Sequence, residues 1–268
     1  MEFKTFLPAK HLTNIVKYYW TLDCELSPTE MYVHRTLANH CPEIIFHYGS
    51  EFRELEMDGK IKQTFRTGIH SQTDKIRKFT ASNNCGIFGA VLKPYAPTLL
   101  FGISATELKN ELIDLETLLG QQGKDISEKI LLAKDNGQRF LLMNDFLSKQ
   151  VDIYKHSSIV SSVQYICSNN GNVNISELSN QCFLSQRQFE RRFKDLVGFS
   201  PKTFSRIVRF KASVHNYQMK QKSMAEIAYD FGYYDQSHFI QDFKQFSGYS
   251  PKLYFGGGAN EVFYSPRK

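Results

Sequence analysis

The chain carries the same short sequence twice near its C-terminal end, and this repeat restricts the folds that are open to it. Residues 193–204 are FKDLVGFSPKTF, and residues 243–254, fifty positions later, are FKQFSGYSPKLY. Two pairs of upstream positions also match, Gln186 with Gln236 and Phe189 with Phe239. A duplication of this kind indicates one structural unit that occurs twice.

The first copy has the apolar spacing of an amphipathic helix. Phe189, Phe193 and Leu196 fall on one face of the segment QRQFERRFKDLVG, while its charged residues lie elsewhere. Ser185 is placed to cap the start of this helix, and Gly198 is placed to end it. The shorter segment NISELSNQC precedes it, so the predicted unit is a short helix, a tight turn and a longer helix.

The second copy repeats this plan. MAEIAYDFG predicts the short helix, a turn contains Gly232, and DQSHFIQDFKQFSG predicts the longer helix. Between the copies, Ser200-Pro201 starts the long amphipathic helix KTFSRIVRFKASVHNYQMK, and Ser250-Pro251 repeats this start. Neither unit is large enough to bury its apolar face alone. The sequence therefore predicts two helix-turn-helix units joined by one long helix.

Charge is distributed unevenly along the chain. Residues 1–156 contain 19 Lys and Arg against 19 Asp and Glu, whereas residues 157–255 contain 12 against 7. A basic excess confined to one segment is typical of a domain that binds nucleic acid. The N-terminal residues lack the pattern of a signal peptide, and no apolar run approaches the ~18 residues of a membrane helix. We therefore expect a cytoplasmic protein without a membrane partner.

The first half of the sequence has a different period. The runs YYWTL, MYVHRTL, EIIFHYG and GIFGAVL predict strands, and Asp58-Gly59 predicts a hairpin with a type I′ turn. From Pro97 to Lys149 the spacing changes to that of amphipathic helices. The expected organisation is a β-rich regulatory and dimerisation domain, a linker at 148–158, a DNA-binding domain and a C-terminal tail. The three parts span residues 1–150, 157–255 and 256–268.

Two patterns in the repeated part resemble a known family. L-S-x-x-x-x-L-S-x-x-x-F-x-R-x-F-K-x-x-x-G-F-S-P runs from Leu178 to Pro201, and I-A-x-x-x-G-Y-x-x-x-S-x-F-x-x-x-F-K-x-x-x-G-Y-S-P runs from Ile227 to Pro251. They are similar to the DNA-binding domain of the AraC/XylS family of bacterial transcription regulators. The resemblance implies two recognition helices that enter successive major grooves, about 34 Å apart.

The N-terminal part resembles the cupin-like β-barrel domains with which such regulators sense effectors and dimerise. The expected fold class is therefore α+β, with a barrel-like domain and its helices followed by an all-α domain. The resemblance implies a regulatory role for the first domain and names no ligand.

The family's pattern also selects residues of the first unit for base contacts. The exposed stripe consists of Gln186, Arg187, Glu190 and Arg191, and the pattern places the last three toward the major groove. An arginine fork can bond guanine O6 and N7, and a carboxylate can accept a hydrogen bond from cytosine N4. The alternative is that the arginines contact only phosphate or pair with Glu190 and Asp195.

The second recognition helix has different chemistry. It has no basic residue before Lys244, and it offers Gln236, Ser237, His238 and Gln241. Two acidic residues flank this group, Asp235 and Asp242. Glutamine pairs well with adenine, but such a helix attracts the DNA backbone less. We expect the first unit to anchor the protein and the second to discriminate between sequences or to bind weakly.

Each copy also contains Ser-Pro-Lys at the start of a predicted helix. A helix start presents free backbone N–H groups and a positive dipole end to a phosphate. Ser200 with Lys202, and Ser250 with Lys252, are therefore candidate contacts to the DNA backbone. Ordinary helix capping by the two serines explains the same pattern.

Other chemistries leave weaker signals. His34, His40, His47 and Glu43 lie close in sequence, yet the H-x-H pair of cupin metalloenzymes does not occur. A DNA-repair protein with an alkyl-accepting cysteine would carry Pro-Cys-His-Arg, which is missing. Five scattered cysteines without a C-x-x-C pair predict reduced thiols. We expect no catalytic residue, metal or cofactor; a cupin-type metalloenzyme or a repair protein with a fused DNA-binding domain remains the alternative.

The expected partners are double-stranded DNA and a second copy of the chain, with RNA polymerase and a small-molecule effector as further candidates. An apolar stripe predicts the dimer contact, with core packing as the alternative; its residues are Leu108, Leu112, Leu115 and Leu119. An aromatic-rich barrel can hold a small apolar ligand. Plain core packing equally explains its aromatic residues, such as Trp20, Phe46 and Phe88.

Overall fold

A computed structural model describes residues 1–26, 32–56, 58–81, 84–151, 157–219 and 223–256. Strands fill the first part of the chain and helices fill the second, which confirms the predicted α+β class. The centre of the predicted linker, residues 152–156, and the tail from residue 257 onward lie outside the described residues. None of the helices in the described ranges is both long and apolar enough to span a membrane.

The strand-rich part contains two antiparallel sheets. Their strands are β1 (Glu2–Phe6), β2 (Val16–Cys24), β3 (Tyr32–Thr36), β4 (Glu43–His47), β5 (Arg53–Leu55), β6 (Ile61–Gln63), β7 (Thr67–His70), β8 (Arg77–Ala81), β9 (Cys85–Leu92) and β10 (Leu112–Asp114). The strand orders are β1-β2-β9-β4-β7-β10 and β3-β8-β5-β6. Leu22 of the first sheet and Phe79 of the second share one buried cluster. Within the described residues the sheets stay open, so the predicted barrel is barrel-like only in a loose sense.

The hairpin predicted at Asp58-Gly59 is present, because β5 pairs with β6 on either side of it. The predicted turn type is wrong. A type I′ turn needs a positive φ at both central residues, and of Asp58 and Gly59 only Gly59 has one, at 83°. Asp58 acts through its side chain instead. Its Oδ1 accepts a hydrogen bond from the Lys60 N–H at 3.0 Å, which closes the loop.

The helices follow the sheets along the chain. They are α1 (Ala96–Phe101), α2 (Ala105–Leu108), α3 (Leu115–Leu119), α4 (Gln121–Leu132), α5 (Asn136–Gln150), α6 (Ser158–Ser168), α7 (Ile175–Gln181), α8 (Gln186–Val197), α9 (Pro201–Met219), α10 (Met224–Asp230), α11 (Gln236–Ser247) and α12 (Pro251–Phe255). The helical spacing predicted from Pro97 is interrupted. Asn110, with φ 65°, reverses the chain, and β10 then pairs with β7.

One further expectation about the first part is wrong, and another stays a prediction. Leu108 and Leu115 are 1% and 0% exposed within the chain's own core, which favours core packing for these two leucines. Leu112 and Leu119 are half-buried, and the dimer contact stays a prediction. Cys24 and Cys85 lie opposite each other on β2 and β9, with their Cα atoms 5.1 Å apart, and form a disulfide. The other cysteines are free, as predicted.

The two parts meet at the turns that end α8 and α11, which we call the docking turns (residues 197–199 and 246–249). Lys109 Nζ lies 4.9 Å from the centre of the Phe199 ring, and the Arg35 guanidinium lies 4.8 Å from the centre of the Tyr249 ring. Phe199 and Tyr249 occupy equivalent positions of the repeat. The Ala38 N–H also donates a hydrogen bond to the second turn. Each copy of the repeat thus holds one cation of the strand-rich part.

Candidate nucleic-acid interface

The first unit consists of α7 and α8, and local capping defines both ends of α8. Ser185 Oγ accepts a hydrogen bond from the Gln188 N–H, while the Gln188 side chain accepts one from the Ser185 N–H. This reciprocal arrangement is a capping box. Gly198 ends α8 with a left-handed φ of 77°. Both predicted helix boundaries are confirmed.

The predicted contact face of α8 is open to solvent. Phe189 and Phe193 are fully buried on the opposite side of the helix, and the exposed residues include Gln186, Arg187, Glu190 and Arg191. Across the described parts of the chain, neither Arg187 nor Arg191 has an ion-pair partner, and the hydrogen bond to Glu190 comes from Gln186. The suggested pairing of these arginines with neighbouring carboxylates is therefore not seen.

The second unit consists of α10 and α11 and repeats the first in outline. Asp235 Oδ1 caps α11 by accepting a hydrogen bond from the His238 N–H at 2.7 Å, and Gly248 ends the helix with φ 76°. Three of the predicted contact residues are exposed, namely Gln236, Ser237 and Gln241. The His238 ring is half-buried and packs edge-on against Tyr233, with 5.4 Å between ring centres.

Asp242 does not lie on the DNA-facing side of α11. It is 1% exposed, and it accepts hydrogen bonds from Arg206 of α9, with Nη2 at 2.6 Å and Nε at 3.2 Å from Oδ1. The negative charge that the sequence places beside the recognition face is therefore neutralised inside the fold. The equivalent position of the first unit is the exposed Arg192, and this reversal of charge is the signal that could have identified a buried role.

The two Ser-Pro-Lys segments start helices, as predicted. Ser200 Oγ accepts a hydrogen bond from the Thr203 N–H at 3.2 Å, and Ser250 Oγ accepts one from the Leu253 N–H at 3.3 Å. Both lysines, Lys202 and Lys252, are exposed. The capping explanation is therefore correct for both serines, and the lysine side chains stay available to a partner.

A cavity of about 690 Å³ lies between the strand-rich part and α9, and the sequence did not indicate its shape. Its apolar walls include Phe3, Trp20, Ile45, Phe52, Phe79 and Val208. Trp20 thus faces the cavity, whereas Phe46 and Phe88 are fully buried core residues. A volume of this size is in the range of small-molecule sites.

Charged side chains line the cavity where the two parts meet. Lys17, Lys211, Arg35 and Glu43 contribute two ammonium groups, one guanidinium and one carboxylate. Burial raises the pKa of Glu43, and the nearby Lys211 opposes this change. Burial likewise lowers the pKa of Lys211, and Glu43 opposes it. Each group therefore favours the charged form of the other, across the boundary between β4 and α9.

Several histidines line the cavity and give it uncharged polar groups. Burial lowers the pKa of His34 and of His47 to about 4, and that of His70 to about 3. The imidazoles are therefore neutral near pH 7. His47 Nδ1 and His70 Nε2 are buried without a hydrogen-bond partner among the described residues. In those same parts of the chain, no group of three His, Cys, Asp or Glu side chains is arranged to hold a metal ion.

Comparison with protein families agrees with this architecture. Residues 178–256 match a helix-turn-helix domain family, and residues 4–114 match a domain family of unknown function (DUF6597). The C-terminal part of the chain is an AraC-type helix-turn-helix domain, as the resemblance in its sequence implies.

Individual proteins are similar to parts of this chain. A probable transcriptional regulator, LumQ of Photobacterium leiognathi, is 32% identical over 82 residues, which cover 31% of this chain and 33% of LumQ. An uncharacterized HTH-type transcriptional regulator of Haemophilus influenzae is 31% identical over 80 residues, which cover 30% of this chain and 27% of that protein. The matched region is thus a third or less of these relatives. Among solved structures, ToxT from Vibrio cholerae is 13% identical and aligns over 89% of this chain and 98% of its own, with a TM-score of 0.48.

Proposed function

We propose that this protein is a sequence-specific DNA-binding transcription regulator of the AraC family, controlled through its N-terminal part. The observation that supports this most is the pair of helix-turn-helix units on one long helix, each with an exposed recognition face. The guanidinium groups of Arg187 and Arg191, which form no ion pair with any described residue, are available to guanine edges or to phosphate. In this proposal the protein acts by binding and not by catalysis.

The test begins with genome-wide mapping of the sites that the tagged protein occupies in its own host. The purified full-length protein should bind a duplex from such a site with an affinity that falls steeply with salt. Arg187→Ala should weaken this binding, whereas Lys124→Ala, which removes an exposed cation from α4, should not. Failure to bind any occupied site in vitro, or equal losses in the two variants, would contradict the proposal.

We also propose that the cavity between the sheets and α9 is an effector site. Three cationic groups against one carboxylate favour a ligand with an acidic head group, and the aromatic walls favour an apolar body. The neutral imidazoles of His47 and His70 can donate or accept hydrogen bonds further along such a ligand. Because Lys211 belongs to α9, a ligand that contacts it is coupled to the helix that joins both DNA-binding units.

Oleate and oleyl alcohol are suitable probes, since they share an apolar chain and differ in head-group charge. Oleate should raise the unfolding midpoint of the wild type more than oleyl alcohol does, and Lys211→Met should remove most of that difference. Lys129→Met, at an exposed position of α4, serves as the control. Equal effects of the two probes would show that the cavity does not select an acidic head group.

The remaining partners and boundaries are further parts of the proposal. We expect residues 157–255 to bind DNA as an isolated domain and the protein to work in the cytoplasm, with contacts to RNA polymerase at promoters. We also expect a homodimer formed through α4 and α5. Leu132 and Leu141 of these helices are 85% and 66% exposed, which leaves apolar surface for a second copy. Sedimentation of the full-length protein at micromolar concentration tests this association.

A further inference from the structure

The most exposed aromatic side chains of the described residues are concentrated around the two helix-turn-helix turns. Phe183, Tyr234 and Tyr229 are 96%, 93% and 86% exposed, whereas the next, Tyr165, is 50% exposed. Phe183 lies in the turn between α7 and α8, and Tyr234 directly precedes the N-cap of α11. These rings take no part in the core, so their position needs another explanation.

Phe183 also has a backbone conformation that its residue type disfavours. Its φ of 54° is in the left-handed region, where a Cβ atom is in steric conflict with the backbone. The corresponding residue of the second unit is Gly232, with φ 65°. The Phe183 N–H donates to Asn180 O and the Gly232 N–H donates to Tyr229 O, so the two turns are alike. Glycine suits this turn, and phenylalanine weakens it without any gain in packing.

The position of Phe183 relative to α8 indicates what the ring contacts. It lies two residues before Ser185, the N-cap of the helix that carries Arg187 and Arg191. The N-terminal end of a recognition helix is the end that enters the major groove. An apolar ring beside it would meet the deoxyribose faces and thymine methyl groups that line the groove edge. The basic residues on the same helix favour DNA as the occupant over an apolar protein surface.

We propose that Phe183 is a DNA-contacting residue whose ring covers the sugar edge of the groove entered by α8, and that its strained conformation is retained for this contact. The inference rests on the proposed DNA-binding function. In the second unit the corresponding residue is glycine, and the exposed ring near the start of the recognition helix is that of Tyr234, next to the N-cap of α11.

The decisive variant is Phe183→Gly in the full-length protein, because folding and binding should change in opposite directions. Glycine relieves the left-handed strain, so the midpoint of thermal unfolding should rise. Loss of the buried ring from the complex should lower the affinity for an occupied DNA site about tenfold. The slope of affinity against salt should stay unchanged, since no charge is removed. Phe183→Tyr should retain affinity, and Ile61→Gly, which removes a half-exposed apolar side chain from β6, should leave DNA affinity unaltered.

Other results would overturn the inference. A lower unfolding midpoint for Phe183→Gly would give the ring a structural role, and unchanged DNA affinity with lost promoter activation would place it against a protein partner. If Phe183→Gly keeps its DNA affinity while Arg187→Ala loses affinity, the contact assigned to Phe183 is wrong and the proposed DNA-binding function stands. If the wild type binds no occupied site, the proposed function itself fails.

Discussion

The two helix-turn-helix units share a fold but differ in the chemistry that they present. Phe189 and Phe193 of the first unit correspond to Phe239 and Phe243 of the second, and all four are fully buried. The correspondence is lost at three other positions, where the first unit has an exposed arginine and the second has serine, glutamine or aspartate. The pairs are Arg187 with Ser237, Arg191 with Gln241, and Arg192 with Asp242. Apolar positions thus determine the shape of the unit, and exposed positions determine its partner.

The charged residues of the two units also point in different directions. Arg187 and Arg191 extend into solvent, whereas Asp242 is directed inward to Arg206 and is 1% exposed. The second unit therefore uses its charge for folding, and the first keeps its charge for a ligand. We expect variants of the second unit to lose stability and variants of the first to lose DNA affinity.

The largest effect should come from Asp242→Ala. Removal of one partner of a buried ion pair costs about 3–5 kcal/mol of unfolding free energy, and we expect about 2–3 kcal/mol because Arg206 remains partly solvated. The control is Arg192→Ala, at the equivalent exposed position, which should change stability by less than about 0.5 kcal/mol. Chemical denaturation measures both. Similar losses in the two variants would show that the units do not divide their charges in this way.

An intermediate effect on DNA affinity is expected when matching residues of the two recognition helices are replaced. Arg191→Ala should weaken specific binding by about 1–3 kcal/mol and relax the preference at one base pair. Gln241→Ala, at the matching position, should cost less, because an uncharged amide contributes no attraction to the backbone. Binding to a randomised operator library measures both preferences. If Arg191→Ala weakens all sequences equally, this arginine contacts phosphate and does not contact a base.

The smallest expected effect on DNA affinity concerns the lysines of the two Ser-Pro-Lys segments. Lys202→Ala should weaken binding to all sequences alike and lower the salt slope by about one, as expected for one phosphate contact. Lys252→Ala should have a weaker effect, since it follows the start of α12, which has five residues, and α9 has 19. Affinity measured over a series of salt concentrations tests this order. A larger change in slope for Lys252→Ala would reverse it.

The helical part was predictable because its signals are local. Ser185, Gly198 and Ser250 act on helix ends within four residues of themselves, and the phenylalanine spacing gives the buried face directly. The repeat supplied the same information twice. Sequence also gave the candidate recognition residues, although it placed Asp242 on the wrong side of α11, because a partner 36 residues away along the chain decides its burial.

The strand-rich part was less predictable because its decisive contacts are distant in sequence. Apolar spacing around Leu112 suggested a helix, but pairing with β7, some 40 residues earlier, makes it a strand. The disulfide joins Cys24 to Cys85 across 61 positions. Lys211 and Glu43 line the same cavity although they are far apart in the sequence. The local spacing of apolar residues carries no information about contacts between such distant positions.

The two cation–aromatic contacts at the docking turns connect the strand-rich part to both DNA-binding units. Lys109 lies over Phe199 at the end of α8, and Arg35 lies over Tyr249 at the end of α11. Other contacts join the same two parts, since Gln164 donates a hydrogen bond to Tyr95 and His40 packs edge-on against Phe204. A change of shape in the strand-rich part can therefore reach both recognition helices at once, through the ends of the helices that carry them.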